Sequence, residues 1–360
     1  SAGTFPYGNL PGYSIDDQLK DANIKPEFIA TKEVGFELVM FKNRFRLNAS
    51  AYQQDNTDQI VAISLPASTG YTSSLVNAAS FVNKGFELEL GLTPMINLGK
   101  LRLDVRANYT FQENKVTQLY PGLDQIDIGN FNVLVKGQPA YLLKLLDYNR
   151  DPQGRVIVSA TTGKPSLATT RSLFGQTLPK HIIGISPTLS YGDLSLSIVA
   201  EYRGGNYIYN DIGQDLVFNG IAASTIEHGR QPFVWPNSVT QSGTTFTPNT
   251  NVYTASGNAN LYTAPIFNAI ESAYYSKADF WKIREVALSY NFPSSLFENQ
   301  KMFKAISVSF IARNLALWVP KSNQYTDPEF SNTTGNAQGV NTTGNIPPSR
   351  NVGLTFNFTF

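Results

Sequence analysis

The 360-residue chain is predicted to be all-β and to form a transmembrane antiparallel β-barrel with long loops at one end and short turns at the other. Three observations predict this fold. Apolar and polar residues alternate over long segments, the connections between segments alternate in length, and aromatic residues gather near segment ends. Alternation gives a strand one oily and one polar face. In lipid, such strands must belong to a sheet that closes on itself.

The alternation is clearest in the last ten residues. Val352, Leu354, Phe356, Phe358 and Phe360 form an apolar row, and the residues between them are polar or glycine. Helical spacing would mix the two classes, whereas strand spacing separates them. About nine segments share this period of two and are predicted strands: residues 34–40, 45–51, 86–92, 101–111, 183–191, 194–202, 286–292, 306–312 and 352–360.

The connections between these segments are alternately short and long. Short ones are expected at 42–43, 94–99, 192–193 and 293–302, and long ones at about 58–80, 116–177, 210–278 and 320–347. Short periplasmic turns and long extracellular loops are typical of outer-membrane barrels. With a periplasmic C-terminus, the first strand (31–41) descends from outside, and residues 1–30 are expected to be an extracellular loop. Because bacterial barrels have even strand numbers, an odd set predicts further strands upstream of these residues.

Aromatic residues near the predicted strand ends are expected to lie at the two membrane interfaces. Aromatic girdles are typical of transmembrane barrels. The predicted girdle residues are Tyr109, Phe111, Tyr290, Phe292, Phe358 and Phe360. The alternative is a soluble β-sandwich with aromatic residues in its core, but the segment around 99–115 is long for a sandwich strand.

Composition argues against several functional classes. A net charge of +1 lacks the basic footprint of a nucleic-acid-binding protein. The chain has no cysteine and two histidines, His181 and His228, which are far apart in sequence, so no metal site is predicted. Neither a nucleophile-elbow motif nor a phosphate-binding glycine loop is present. We therefore expect no catalytic residues, no cofactor and no enzymatic activity.

Several short motifs, in order along the chain, resemble one known family. The most specific is the strand start Asn83-Lys84-Gly85-Phe86-Glu87-Leu88. The others are residues 24–27 with 33–37, 41–45, 60 with 65–70, 137–139, 279–286 with 289–293, 312–315, 327–329 and 347–350. Together they resemble the C-terminal barrel portion of SusC/RagA-type TonB-dependent outer-membrane transporters of the Bacteroidetes group. Ala312 departs from the family pattern, which usually has glycine there.

This resemblance implies a barrel of about 22 strands, a size at which outer-membrane transporters carry a plug in the lumen. The whole chain, 1–360, would be the C-terminal part of that barrel, and the plug and the TonB-contacting segment would lie outside these residues. It further implies a SusD-like surface lipoprotein as partner, energy from TonB, contact with outer-membrane lipid, and uptake of an oligosaccharide or peptide. The alternative function is a passive outer-membrane porin or a structural barrel.

Two groups of polar and aromatic residues are candidates for substrate binding. Flat rings with amides and charged groups suit both sugars and peptides. The first group lies at the top of one predicted strand, and the second follows in the next long loop: Arg203, Asn206, Tyr207 and Tyr209, then Trp235, Tyr274 and Tyr275. Tyr253 and Tyr262 lie in the same loop. The alternative is that these residues pack on one another or against the lid protein.

Overall fold

The protein is described by a computed structural model that covers residues 17–129, 131–253, 270–297, 302–331 and 338–360. Its largest sheet contains nine long antiparallel strands, each hydrogen-bonded to the next one along the chain. We call these the wall strands: β1 Phe28–Met40, β2 Phe45–Ser64, β3 Ser73–Leu98, β4 Leu101–Leu119, β5 His181–Tyr191, β6 Leu194–Gly204, β7 Phe280–Asn291, β8 Ala305–Trp318 and β9 Asn351–Thr359. A short strand, Gln18–Lys20, pairs in parallel with the start of β3.

Each predicted alternating segment coincides with one wall strand, but several predicted boundaries are wrong. The long loop expected at 58–80 is largely strand, because β2 continues to Ser64 and β3 begins at Ser73. Asp58 has a positive φ of 56°, and the register shifts between Asn56 and Gln59. Such an irregularity interrupts strict alternation and hides the continuing strand from a search for it.

Two other predicted boundaries also differ from the structure. A turn is predicted at 94–99, but β3 runs to Leu98 after an irregularity between Leu92 and Ile96, and the chain reverses at Gly99. At the N-terminal side, β1 begins at Phe28, so residues 28–30 belong to the wall and not to the expected loop 1–30. Residues 1–16 of that loop lie outside the described residues.

Register places the apolar residues of the wall in continuous rows on one face. One row runs across six strands through Leu103, Leu189, Leu196, Leu288, Phe310 and Leu354. The opposite face is polar and carries two concavities of about 620 and 540 Å³, to which Arg46, Asn48, Glu89 and Asn108 contribute. Among the described residues the sheet does not close, since β1 and β9 each have a partner on one side alone.

The long connections are folded and not structureless. They contain the strands Gln125–Asp127, Asn132–Val135, Leu142–Tyr148, Val156–Val158, Leu167–Gln176, Tyr207–Asn210, Phe233–Val234, Ser238–Ser242, Thr245–Pro248, Val252–Tyr253, Tyr275–Lys277 and Val340–Asn341. Helical segments are α1 (Ile212–Phe218) and the short 3₁₀ turns Ala67–Thr69, Ala223–Arg230, Glu271–Tyr274 and Ser294–Leu296. No helix in the part of the chain that the structure describes is long and apolar enough to span a membrane.

We call the described parts of the three longest connections, within 120–180, 205–279 and 319–350, the cap. Its main apolar core brings together residues far apart in sequence: Leu143, Leu145, Tyr209, Val217, Ala222, Tyr253, Ile270, Tyr274 and Val340. A second core joins the upper parts of β2, β3 and β4 to the cap through residues such as Val61, Val76, Val116 and Leu134. The cap therefore sits at the long-loop end of the wall.

Candidate functional site

The connection between β8 and β9 folds back against the polar face of the wall and is held there by charge. Asp327 and Glu329, which flank Pro328, both accept hydrogen bonds from Lys282 of β7, and the Lys282 Nζ to Asp327 Oδ2 distance is 2.6 Å. The Lys282 side chain is only 3% exposed. A cation buried to this degree requires close carboxylates, because its hydration has been lost.

Two cations of β7 reach the same carboxylate, and one of them occupies a bulge. Lys282 is opposite Glu201 of β6, and Glu285 is opposite Val199, with one extra residue between the two registers. That residue is Arg284, which donates two hydrogen bonds to Glu329 and one to Glu201, with Nε to Oε2 at 2.8 Å. Lys282 and Arg284 are two residues apart, so the alternation of the strand directs both side chains to the polar face.

Arg203 completes this group. It pairs with Glu201 and lies 3.6 Å from Glu329. We call the set the loop-anchor network, and its three cations balance three carboxylates: Arg203, Lys282 and Arg284 with Glu201, Asp327 and Glu329. Because bidentate arginine–carboxylate pairs are directional as well as strong, the network fixes the position of the returning loop against the wall.

The network also sets the protonation of its central carboxylate. Burial raises the pKa of Glu329, but hydrogen bonds from Arg284 and Lys282 outweigh burial and lower the pKa from its ordinary 4.5 to about 2. Glu329 is therefore ionised at neutral pH, and the loop is held by a charged acceptor.

A cavity of about 270 Å³ opens beside the network, between the wall and the returning loop. Three of the predicted binding residues, Arg203, Asn206 and Tyr207, line it, together with Phe280 and Glu329. Asn206 donates from Nδ2 to the carbonyl of Thr177 at 3.0 Å. Its Oδ1 atom is buried and accepts no hydrogen bond from the described residues. The cavity is thus lined by an aromatic side chain, a guanidinium and a carboxylate.

The other predicted binding residues belong to the interior of the cap. Tyr209 and Tyr274 are buried in its main core, at 0% and 2% exposure. Tyr275 stacks on Tyr207 with ring centres 4.8 Å apart, and its hydroxyl accepts from the Gly175 backbone. Trp235 packs beside Tyr148, Phe233 and Tyr253. These four residues hold the cap together in this structure, and ligand contact for them stays a prediction. Tyr262 lies outside the described residues.

The predicted girdle residues lie on the apolar face, near opposite ends of the wall. Tyr109 and Phe111 both contact Phe86 and His181. The His181 Nδ1 atom lies 2.9 Å from the Tyr109 hydroxyl. At the other end, aromatic rings cluster at Tyr290, Phe292, Phe303, Phe358 and Phe360. Leu101 is in register with Tyr290, in the lower aromatic cluster, and lies ten residues before Phe111 on the same strand. Ten residues of a tilted strand span ~25 Å of height in the membrane. This matches the apolar band of a transmembrane barrel.

Sequence reasoning missed the loop-anchor network. Asp327 and Glu329 are visible as part of a short motif, and Lys282 and Arg284 as strand cations, but their pairing spans 45 to 47 residues of chain and depends on how the returning loop folds. The sequence contained one local signal: two cations that are two residues apart on a strand share a face and need acidic partners when they are buried. Among the described residues, no group of three histidines or carboxylates could hold a metal ion.

An antiparallel wall with one oily and one polar face, and a folded cap at one end, is typical of a segment of a membrane β-barrel. Residues 1–315 match the family model described as "TonB dependent receptor-like, beta-barrel", and the chain belongs to this family. Members of the family are outer-membrane transporters and not enzymes. The chain is therefore located in the bacterial outer membrane.

Two curated relatives come from Formosa agariphila. TonB-dependent receptor P26 is 27% identical over 94% of this chain, and TonB-dependent receptor P39 is 22% identical over 92%. The chain spans 35% of the length of each relative.

Solved structures share the fold. The RagAB peptide transporter matches 99% of this chain and 38% of its own, with a TM-score of 0.71 and 18% identity. The RagAB peptide importer in its closed-closed state matches 92% of this chain and 35% of its own, with a TM-score of 0.66 and 18% identity.

Proposed function

We propose that the chain is the C-terminal barrel portion of a TonB-dependent active importer that carries an oligosaccharide or peptide across the bacterial outer membrane. The observation that carries this proposal is the ion-paired return of the β8–β9 loop onto the polar face, beside a cavity lined by Arg203, Asn206 and Tyr207. The match of residues 1–315 to the TonB-dependent receptor family model favours an importer over a passive pore.

The remainder of the importer follows from the family and the fold. The barrel would have about 22 strands and enclose a plug. TonB would act through that plug, and a SusD-like lipoprotein would cover the cap. The polar concavities near Arg46 and Glu89 would then face the plug, and the apolar rows would face outer-membrane lipid. Support comes from family membership and from the structural likeness to the RagAB peptide transporter.

The cavity is suited to one polar group of a larger substrate. The ring of Tyr207 offers apolar area, and the Glu329 carboxylate at the edge of the cavity can accept a hydrogen bond from a hydroxyl or amide of the ligand. Both sugars and peptides carry such donors, so the proposal retains both substrate classes.

Uptake by cells tests active import. A strain deleted for the full-length gene is grown on single oligosaccharides and on peptide mixtures, with and without functional TonB. Loss of growth on one substrate class in both the deletion and the TonB-deficient strain supports the proposal. Growth that depends on the gene but not on TonB indicates a passive pore.

The cavity is tested separately by Asn206→Ala in the full-length gene. We expect uptake to fall severalfold while the amount of folded protein in the outer membrane is unchanged. Thr245→Ala, at an exposed cap strand far from the cavity residues in sequence, is the matched control. Equal uptake by both variants would remove Asn206 from the substrate path.

A further inference from the structure

A row of polar and charged residues, two of them lysines, lies immediately above the upper aromatic row on the apolar face of the wall. Register places Lys32 opposite Gln53, Gln53 opposite Lys84, and Lys84 opposite Glu113. Two residues lower on the same strands are Val34, Ala51, Phe86 and Phe111, and Phe111 is opposite His181. A two-residue step along a strand is ~7 Å. The apolar face therefore turns basic within one step of its aromatic edge.

This row borders a cavity of about 490 Å³, lined by Lys84, Lys115 and Lys180 together with Gln53 and Glu113. The cavity lies on the outer face of the wall and not on the polar face that carries the loop-anchor network. The lysine and the glutamate lie on the outer face because Lys84 is two residues from Phe86 and Glu113 is two residues from Phe111, and such residues share a face of the strand. A ligand in the cavity is thus reached from the membrane side.

The cap forms a fixed roof over the cavity. Gly137 and Pro139 line it from above. The roof is attached to β4 by three backbone donors: Gly137 N to Val116 O at 2.8 Å, Val116 N to Gln138 O at 2.9 Å, and Ala140 N to Asn114 Oδ1 at 2.6 Å. The lysines therefore line a built recess and not an open surface.

Positive charge in the recess is only partly balanced. Lys180 pairs with Glu113 at 3.1 Å. Lys84 and Lys115 are exposed and make no ion pair within the described part of the chain. Ammonium groups are strong donors to phosphate oxygens, and each lysine near an anionic membrane surface adds to the attraction.

We propose that this recess binds the phosphorylated headgroup of a glycolipid in the outer leaflet of the outer membrane. The occupant is a lipid and not a soluble anion because the lysines stand directly on the aromatic edge of the lipid-facing surface. Acyl chains can lie along Phe86 and Phe111 while a phosphate reaches Lys84, Lys115 and Lys180. The bound lipid would position this part of the wall at its depth in the membrane.

The test uses the full-length protein, delipidated and placed in nanodiscs of zwitterionic lipid. Fluorescent lipid A is titrated into wild type and into the triple variant Lys84→Gln, Lys115→Gln and Lys180→Gln. A matched triple variant removes the same charge at the short-turn end: Lys42→Gln, Lys100→Gln and Lys304→Gln. We expect a dissociation constant roughly 100-fold weaker for the recess variant, about fivefold for each lysine, and no change for the matched variant.

Two further arms identify the ligand chemistry. Lipid A stripped of phosphate should bind wild type as weakly as intact lipid A binds the recess variant. Inorganic phosphate at millimolar concentration should compete poorly. A triple lysine-to-arginine variant, which keeps the charge, should retain binding to within a few-fold.

The proposal is overturned if the recess variant binds lipid A as tightly as wild type, or if removing phosphate changes nothing. Strong competition by inorganic phosphate would show an anion site without lipid selectivity, and would equally overturn it. Heat-modifiable migration on gels reports whether each variant is folded. If the triple variant fails to fold, the Lys84→Gln and Lys115→Gln double variant, which leaves the Lys180–Glu113 pair intact, takes its place.

Discussion

The wall and the cap distribute their apolar residues in opposite ways. On the wall, Val34 is 73% exposed and Leu354 is 63% exposed, although both belong to continuous apolar rows. In the cap, Leu143, Tyr209 and Ile270 are fully buried. The apolar side chains of the wall face the side that hydrocarbon would cover in a bilayer, whereas those of the cap are buried away from water, as in a soluble domain.

This difference in apolar burial shows which interactions stabilise each region. Wall strands inside the sheet satisfy their backbone groups through neighbouring strands, which is the requirement for crossing a bilayer. The cap has short strands in small sheets and depends on side-chain packing and on buried ion pairs. A substitution should therefore have different consequences in the two regions, even when the residue types are alike.

The largest expected effect is in the cap core. Tyr209→Ala removes a fully buried ring that contacts Phe131 and whose hydroxyl donates to Asp211 at 3.2 Å. We expect a loss of about 3–5 kcal/mol of cap stability, as for other large aromatic truncations. Limited proteolysis of the full-length protein in outer membranes should cut the cap faster, while the barrel keeps its heat-modifiable migration. Ile221→Ala, at a residue 70% exposed, is the control and should change little.

The next effect is at the loop-anchor network. Glu329→Ala removes the carboxylate shared by Lys282 and Arg284. The cost should be about 3 kcal/mol, the lower end for breaking a buried pair, because Lys282 keeps Asp327 and Arg284 keeps Glu201. Backbone hydrogen exchange in the β8–β9 connection measures this loss. The comparison is Glu285→Ala, whose partner Arg313 is 61% exposed and whose ion pair should contribute less than ~1 kcal/mol. Equal exchange in both variants would contradict the anchoring role.

A charge placed on the outer face should separate the two surfaces of the wall. Val286 lies on the apolar face between Ile198 and Ala312, and the adjacent Ala287 lies on the polar face. Val286→Lys should destabilise the barrel in a bilayer by about 2–4 kcal/mol, while Ala287→Lys should cost close to none. Urea unfolding of the full-length protein in liposomes is the measurement. The same cost at both positions would mean that both faces meet one environment.

Acid should release the loop gradually. Because the folded-state pKa of Glu329 is lowered, its stabilisation is complete above its ordinary 4.5 and is lost as the pH falls to about 2. Hydrogen exchange of the β8–β9 connection should therefore accelerate across this window and be flat from pH 5 to 8. Glu329→Gln should abolish the dependence. A transition near neutral pH would point to another group.

The alternation of side chains was sufficient to predict the wall. A period of two along 101–111 specifies both the strand and its two faces, because successive strand side chains point in opposite directions. Where a bulge adds a residue, as at Asp58, the pattern breaks and the prediction ended the strand too early. The girdle aromatics were also visible, since Tyr109 and Tyr290 are in phase with the apolar row.

The binding candidates were only partly predictable. Sequence grouped Arg203, Asn206 and Tyr207 with Tyr209 and Tyr274, since all are polar or aromatic loop residues. Folding separates them, because Arg203, Asn206 and Tyr207 line a cavity while the two tyrosines are buried in the cap core. Composition does not show whether a loop residue is exposed to solvent or buried. That depends on segments up to a hundred residues away.

The amino-acid sequence by itself determined the strands, their two faces and their order in the sheet, because these follow from local periodicity and from pairing of consecutive strands. Only the tertiary structure decided which charges meet. Lys282 meets Asp327 and Glu329 because the returning β8–β9 loop folds against β7, and contacts between distant segments leave no periodic trace in the chain.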